Sequence, residues 1–254
     1  MITNLYREFY KLGHRKIAWF APILVLFVMV AMGFSVGKVQ ARLLAMTCFA
    51  SSEVILLALV IVASSIFSME FQNQAILTVM YKAPNKLYVY FAKLVTIFIY
   101  NLILHLIAML FTVILTLTPI VSSFSWLAVY QHHQPLIVNM LATTGLDLVT
   151  STFIISLIFL TSCIINSNAV VVTFNIVVIY MGAYVSYHFL LDNDKLAYLL
   201  KWNPFNMTNL TQQYYNSSMI QATYLSVFQL TIGTLAYCLL FFALGYLVFR
   251  KKRF

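Results

Sequence analysis

Three ionisable side chains, Glu53, His105 and Asp147, stand inside long apolar runs of the chain. A charge in hydrocarbon is costly, so such groups normally face a bundle interior or a wet cavity and mark the path of an ion, proton or substrate. On antiparallel neighbouring helices rising about 1.5 Å per residue, Glu53 lies roughly 21 Å above Phe67 and His105 roughly 18 Å above Lys93. The two are therefore expected to pair or to line one hydrated cavity near mid-membrane, the plainer alternative being that each hydrogen-bonds within its own helix. Asp147, about 9 Å from the outer end of its helix, is expected to be reached by ordinary hydration.

Patterns that carry chemistry in soluble enzymes are missing. The chain has no Gly-x-x-x-x-Gly-Lys-Ser/Thr loop to cradle phosphates, no His-Glu-x-x-His pair for zinc and no Gly-x-Ser-x-Gly elbow. An intramembrane enzyme using Glu53, His105 and Asp147 is thus an alternative rather than the leading reading. His132-His133 has no Cys or carboxylate partner nearby and reads as interfacial polarity. Cys48, Cys163 and Cys238 lie in or beside apolar runs without paired spacing and read as small hydrophobes.

The elements that must position these residues follow from composition. Of the 254 residues 63% are hydrophobic and 8% charged, which excludes a soluble fold and indicates an all-α polytopic membrane protein. At roughly 20 residues per span, six spans fit, near 17–36, 43–67, 93–117, 141–165, 169–191 and 224–249, in one transmembrane domain covering 1–254. Ahead of them Ile2, Leu5, Phe9 and Leu12 share one helical face and Arg7, Glu8, Lys11 and Arg15 the other, the pattern of an interfacial helix. The net charge of +9 sits beside the spans, which favours membrane lipid over nucleic acid as its partner. Eleven of the fifteen basic residues fall on one side of the six-span arrangement. By the positive-inside rule both termini are then cytoplasmic.

A polar island separates the second span from the third: Phe67-Ser-Met-Glu70-Phe-Gln-Asn-Gln74-Ala75-Ile76-Leu77-Thr-Val-Met80-Tyr81-Lys82-Ala-Pro84-Asn-Lys86. Ile76, Leu77 and Met80 share a helical face, and Pro84 stops the helix and turns the chain back. Lys82, Lys86 and Lys93 mark its surface as cytoplasmic.

This island resembles the loop between the second and third spans of type 2 ABC exporter permeases of the antibiotic and lantibiotic-immunity class. There a glutamate precedes a Gly-Thr pair, a short coupling helix, a proline, a basic residue and an Ala-Lys. The chain supplies Glu70, Ile76 to Tyr81, Pro84, Lys86 and Ala92-Lys93, with Gln74-Ala75 in place of Gly-Thr. An N-terminal Leu5-Tyr-Arg-Glu8-Phe-Tyr-Lys11-Leu and a closing Gly245-Tyr-Leu-Val-Phe249-Arg-Lys-Lys-Arg253 agree. The resemblance implies the permease half of an ABC exporter in a bacterial cytoplasmic membrane, moving a hydrophobic or peptide-like substrate and working beside a second identical or related permease. It also implies short re-entrant helices on the outer face around Asn203-Pro-Phe205. Coupling to a separate ABC ATPase would run through Glu70, Gln74, Ala75, Ile76, Leu77, Met80, Tyr81, Lys82, Pro84 and Lys86. ATP and Mg would be bound by that partner, no cofactor or metal being expected in this chain. A peptide-binding immunity or sensor protein that transports nothing is the remaining alternative.

Overall fold

In lipid every backbone N–H and C=O must be satisfied within the protein, so apolar runs of this length become helices. The computed structural model describes residues 2–73, 85–191 and 196–252, and among these the regular structure is helical apart from one isolated bridge between Val129 and Pro135. The elements in order are α1 (Ile2–Gly13), α2 (Lys16–Val36), α3 (Ala41–Met46), α4 (Ser51–Gln72), α5 (Lys86–Thr116), α6 (Leu136–Ile164), α7 (Asn168–Leu191), α8 (Ala197–Leu200), α9 (Leu210–Tyr215), α10 (Ile220–Thr223) and α11 (Val227–Lys251). Six of them, α2, α4, α5, α6, α7 and α11, are long and apolar enough to cross a membrane.

The long helices are not equivalent. In α4 and α6 about 70% of the most apolar stretch is buried, against 22% in α7 and 28% in α2 and α11. α4 and α6 therefore form the middle of the bundle, and the other three turn most of their apolar surface outwards. Aromatic rings close one end of this core. Phe67 of α4 meets Phe159 of α6 at 4.9 Å, Phe249 of α11 at 5.5 Å and Tyr90 of α5 at 5.7 Å between centroids. These edge-on and tilted contacts tie four helices together.

Local chemistry sets the ends of several helices. Asn85 caps α5, its side chain accepting from Leu87 N at 2.9 Å, and Ser226 with Gln229 forms a reciprocal capping box on α11. Hydropathy placed three of the starts wrongly. α5 begins seven residues ahead of the expected position 93, so Lys93 lies inside the helix rather than on a surface. α6 begins at Leu136, five residues ahead of the expected 141. The second span, expected to run unbroken from 43, is instead interrupted: Cys48, Phe49 and Ala50 all have positive φ, of 47°, 54° and 56°, and this left-handed link separates α3 from α4. Apolarity is continuous through the link, which is why a hydropathy reading passes over it.

The segment 196–226 folds as short helices packed back into the bundle between α6, α7 and α11, in the place expected for re-entrant helices. Two glycines make room. A Cβ at Gly233 would sit 2.6 Å from Met207 Sδ and one at Gly182 would sit 3.1 Å from Phe205 Cδ1. The buried Asn206 amide then staples the segment, donating to Lys201 O at 2.7 Å and Thr223 O at 2.8 Å.

The bundle has two chemically distinct ends. At one, Lys86 Nζ donates to the carbonyls of Arg250 and Lys252 at 3.1 Å, and Lys252 Nζ donates to Cys163 O at 3.0 Å while lying 4.0 Å from the centre of the Phe71 ring. This end gathers α1, the flanks of the island, the turn after α6 and the end of α11. The turns 37–50, 117–135 and 196–226 form the other.

The left-handed link supplies a test. A non-glycine residue in this conformation costs about 1–2 kcal/mol, and glycine removes that cost while adding unfolded-state entropy. Ala50→Gly is expected to leave stability unchanged or raise it by about 1 kcal/mol, and Ala50→Val to lower it by more than that. Thermal unfolding in detergent reads both, and a valine as stable as the alanine would show the link to be unstrained.

Candidate functional site

The polar groups inside the bundle form two sites, one at each end. At the basic end the face of α1 that carries Glu8 and Lys11 turns inward, so Glu8 is buried at 5% exposure. Lys93 projects from α5 and is completely buried, with its Nζ 3.0 Å from Glu8 Oε2 and 2.8 Å from Glu70 Oε2. Lys11 closes the ring, 2.7 Å from Glu8 Oε1 and 2.8 Å from Glu70 Oε1. The four charges cancel. Arg15 stands beside them, its guanidinium donating to Ser65 Oγ, and Lys93 also donates to Ile66 O at 3.3 Å above the Phe67 ring.

This arrangement ties α1, α4 and α5 together through one ion-paired ring. Burial pushes the Lys11 ammonium down, but Glu70 and Glu8 outweigh it and hold Lys11 above its ordinary range, whereas burial lowers Arg15 in spite of the same two carboxylates. Because the folded value of Lys11 is raised, its contribution is complete below its ordinary value of 10.5 and is lost only as pH climbs through the raised one. Of the residues expected to couple to an ATPase, Glu70 belongs to this ring and Lys86 caps the end of α11. Gln74, Ala75, Ile76, Leu77, Met80, Tyr81, Lys82 and Pro84 lie outside the described residues.

At the other end a cavity of about 230 Å³ opens between α2, α3, α4, α6 and α9, lined among others by Glu53, Asp147, Thr150, Thr211, Gln212 and Tyr215. Asp147 is buried, with Oδ2 3.0 Å from His105 Nε2 and Oδ1 accepting from Thr211 Oγ1 at 3.3 Å. Thr211 and Thr150 hydroxyls meet at 2.9 Å. On its far side the imidazole Nδ1 lies 2.9 Å from Asn101 O, and the Asn101 amide donates to Ser151 Oγ at 2.7 Å. The structure thus brings Glu53 and Asp147 to one cavity and couples His105 to Asp147.

The expected pairing of Glu53 with His105 is not formed, and the displaced helix starts explain why. With α6 beginning at Leu136, Asp147 lies about 16 Å inside its helix, and His105 lies about 16 Å from the Thr116 end of α5, at about 1.5 Å per residue. They meet at one depth. Glu53, in the first turn of α4, is near the end of its helix rather than mid-membrane, and among the described residues its exposed carboxylate makes no ion pair. Its backbone carbonyl accepts from Tyr180 OH on α7 at 3.4 Å.

Several members of these sites escape a reading of apolar runs. Glu8 and Lys11 carried a local signal, the i,i+3 spacing of opposite charges, but their inward face did not. Thr150, Thr211, Gln212 and Tyr215 are ordinary polar residues whose importance comes only from folding 206–215 back into the bundle. His132 has a structural use: its ring stacks on Tyr214 at 4.4 Å and its Nε2 lies 2.9 Å from Tyr214 O.

A bundle of six membrane-length helices, with a buried ion-paired ring at one end and a polar-lined cavity towards the other, defines a polytopic membrane protein. The sequence profile described as "ABC-2 family transporter protein" matches residues 4–182, and the chain belongs to that family. It is therefore the membrane-spanning subunit of an ABC transporter, a class that works with an ABC ATPase. No curated protein matches the chain.

Two tests follow. Removing one partner of a buried ion pair strands the other, at a cost of about 3–5 kcal/mol, so Lys93→Met should destabilise by that order, and adding Glu8→Gln and Glu70→Gln should restore much of it. Denaturant unfolding in detergent measures this, and a loss under about 1 kcal/mol would show the ring to be hydrated. In a double-mutant cycle His105→Ala and Asp147→Ala should couple by about 0.5–3 kcal/mol. His105→Ala with Glu53→Ala should be additive, and the reverse pattern would reinstate the pairing of Glu53 with His105.

Proposed function

We propose that this chain is the permease half of an ABC exporter, driven by a separate ATPase that grips the 70–86 loop. The observation that carries the reading is the buried ring of Glu8, Lys11, Glu70 and Lys93. A motor outside the membrane moves a bundle only through a stiff handle, and both flanks of the loop are fixed at their base by charges that cannot separate cheaply in a low dielectric. Force applied to the loop would reach α1, α4 and α5 together. The apolar face of Ile76, Leu77 and Met80 would supply the groove-filling contact of a helix docked on its partner. ATP and Mg would be held by that partner.

At the opposite end, an exposed carboxylate within a spanning segment does not belong against acyl chains. Glu53, with Tyr180 and Tyr184 exposed on α7 beside it, would face a hydrated path shared with a second permease, identical or related. The cavity between Glu53 and Asp147 is large enough to take part of a substrate, and the exposed aromatics favour a hydrophobic or peptide-like one. The basic end would face the cytoplasm with both termini, a reading supported by the eleven of fifteen basic residues on that side.

The experiment is to express the chain with its candidate ATPase, purify the complex and follow ATP-dependent movement of substrate in vesicles. Leu77→Asp is expected to release the ATPase while the permease stays in the membrane, and undiminished, coupled co-purification would overturn the handle. Impermeant thiol reagents on intact cells should label a single cysteine placed at 132 but not one at 86. Movement without ATP, or none at all with the complex intact, would point instead to the intramembrane enzyme or the non-transporting sensor.

A further inference from the structure

A second hollow, separate from the cavity of Glu53 and Asp147, lies at the end of the bundle away from the termini. It is a groove of about 430 Å³ between the α2–α3 turn and the loop before α6, lined by residues that include Lys38, Arg42, Ser122, Ser123, Phe124 and Tyr130. Its two walls are joined by main-chain contacts: Ser122 N donates to Gly37 O at 3.2 Å and Ser122 Oγ to Lys38 O at 2.8 Å. Lys38 and Arg42 are exposed, and among the described residues neither forms an ion pair. No acidic residue lines the groove. Two cations and the Ser123 hydroxyl, without a protein counter-charge, form a receptor for an anion rich in oxygen acceptors.

Position identifies the source of that anion. The groove begins two residues beyond Val36, where the apolar run of α2 ends, and so lies at the level where a membrane presents its headgroups. The turn and the loop also expose large apolar side chains, Val39 at 84%, Leu127 at 77% and Val129 at 63%. A free phosphate has no use for that rim. A lipid has: its phosphate would sit between Lys38 and Arg42 while its chains run down past the apolar side chains, with Phe124 and Tyr130 as interfacial aromatics. We propose that this groove is a binding site for the phosphate headgroup of an anionic lipid.

The site is connected to the rest of the molecule. Gln40 and Leu43 line both the groove and the cavity that contains Asp147, so a lipid seated here steadies one wall of that cavity. The proposal needs only that the chain sits in a membrane, and it stands whether or not the chain is an exporter.

The test uses the full chain in phosphatidylcholine nanodiscs, titrated with phosphatidylglycerol of the same acyl chains, with unfolding temperature and native mass spectrometry as readouts. Phosphatidylglycerol is expected to raise the unfolding temperature and to be retained as a bound lipid. The double variant Lys38→Gln with Arg42→Gln should weaken retention about 30-fold, taking about 1 kcal/mol for each cation near an anionic surface. Lys201→Gln, which removes a cation at the same end but outside the groove, should not. If the double variant folds poorly, Ser123→Asp places a negative charge in the groove and should give the same loss. Retention unchanged in a folded groove variant overturns the site. Stabilisation by inorganic phosphate equal to that by phosphatidylglycerol overturns the assignment to lipid.

Discussion

A lysine held entirely out of water is the constraint on which this architecture rests. An isolated ammonium in a low-dielectric interior loses several kcal/mol of solvation, so Lys93 is tolerable only where carboxylates come to meet it. The chain meets it twice, with Glu8 from α1 and Glu70 from α4, and balances the second negative charge with Lys11. None of the three elements can leave alone. α1 would otherwise be an amphipathic helix free to slide in the membrane interface, and the ring converts it into a fixed brace against the base of the 70–86 loop. The aromatic floor of Phe67, Phe159, Phe249 and Tyr90 beneath the ring keeps water from entering from the core side and extends the same rigid block to α6 and α11.

The opposite half is built by another rule. Its polar groups are mostly hydroxyls and amides that answer one another, as Thr150 with Thr211 and Asn206 with Thr223 O, and such bonds break and re-form at lower cost than a buried ion ring. The left-handed link at 48–50 and the folded-back segment 196–226 also belong to this half. One end of the molecule is thus stiff and charged, and the other holds the cavity among short, hydrogen-bonded pieces. Under the proposed coupling, that asymmetry would let motion imposed at the stiff end change the shape of the soft one.

How much of this was legible in the sequence depended on whether the signal was periodic. Six apolar runs and the amphipathic α1 are repeated patterns, and each gave a helix, although three of the starts lie elsewhere than expected; the centre of the polar island, 74–84, lies outside the described residues. The link at Cys48-Phe49-Ala50 carries no glycine or proline, so nothing in the local chemistry announced it, and the second span was drawn through it. That misreading puts Glu53 in the middle of the membrane and, together with the misplaced start of α6, gives His105 the wrong partner. The start of α6 was missed for a related reason: the aromatic and proline-bearing loop obscured that Leu136-Ile-Val138 already belongs to the helix. Asp147 is therefore about 7.5 Å deeper than that reading puts it, five residues at about 1.5 Å each.

Errors of a few residues in helix ends matter more here than in a soluble protein. In water a polar group displaced by one turn remains solvated, whereas in a bundle the same displacement decides whether it meets a partner, a cavity or acyl chains. Depth, rather than residue type, then sorts the three ionisable groups Glu53, His105 and Asp147. His105 and Asp147 share a depth and neutralise each other's cost, leaving Asp147 with one oxygen turned to Thr211 beside the cavity. Glu53, in the first turn of α4, is exposed and makes no ion pair among the described residues. The cavity between them consequently has one wall fixed by a buried pair and one open carboxylate at its edge.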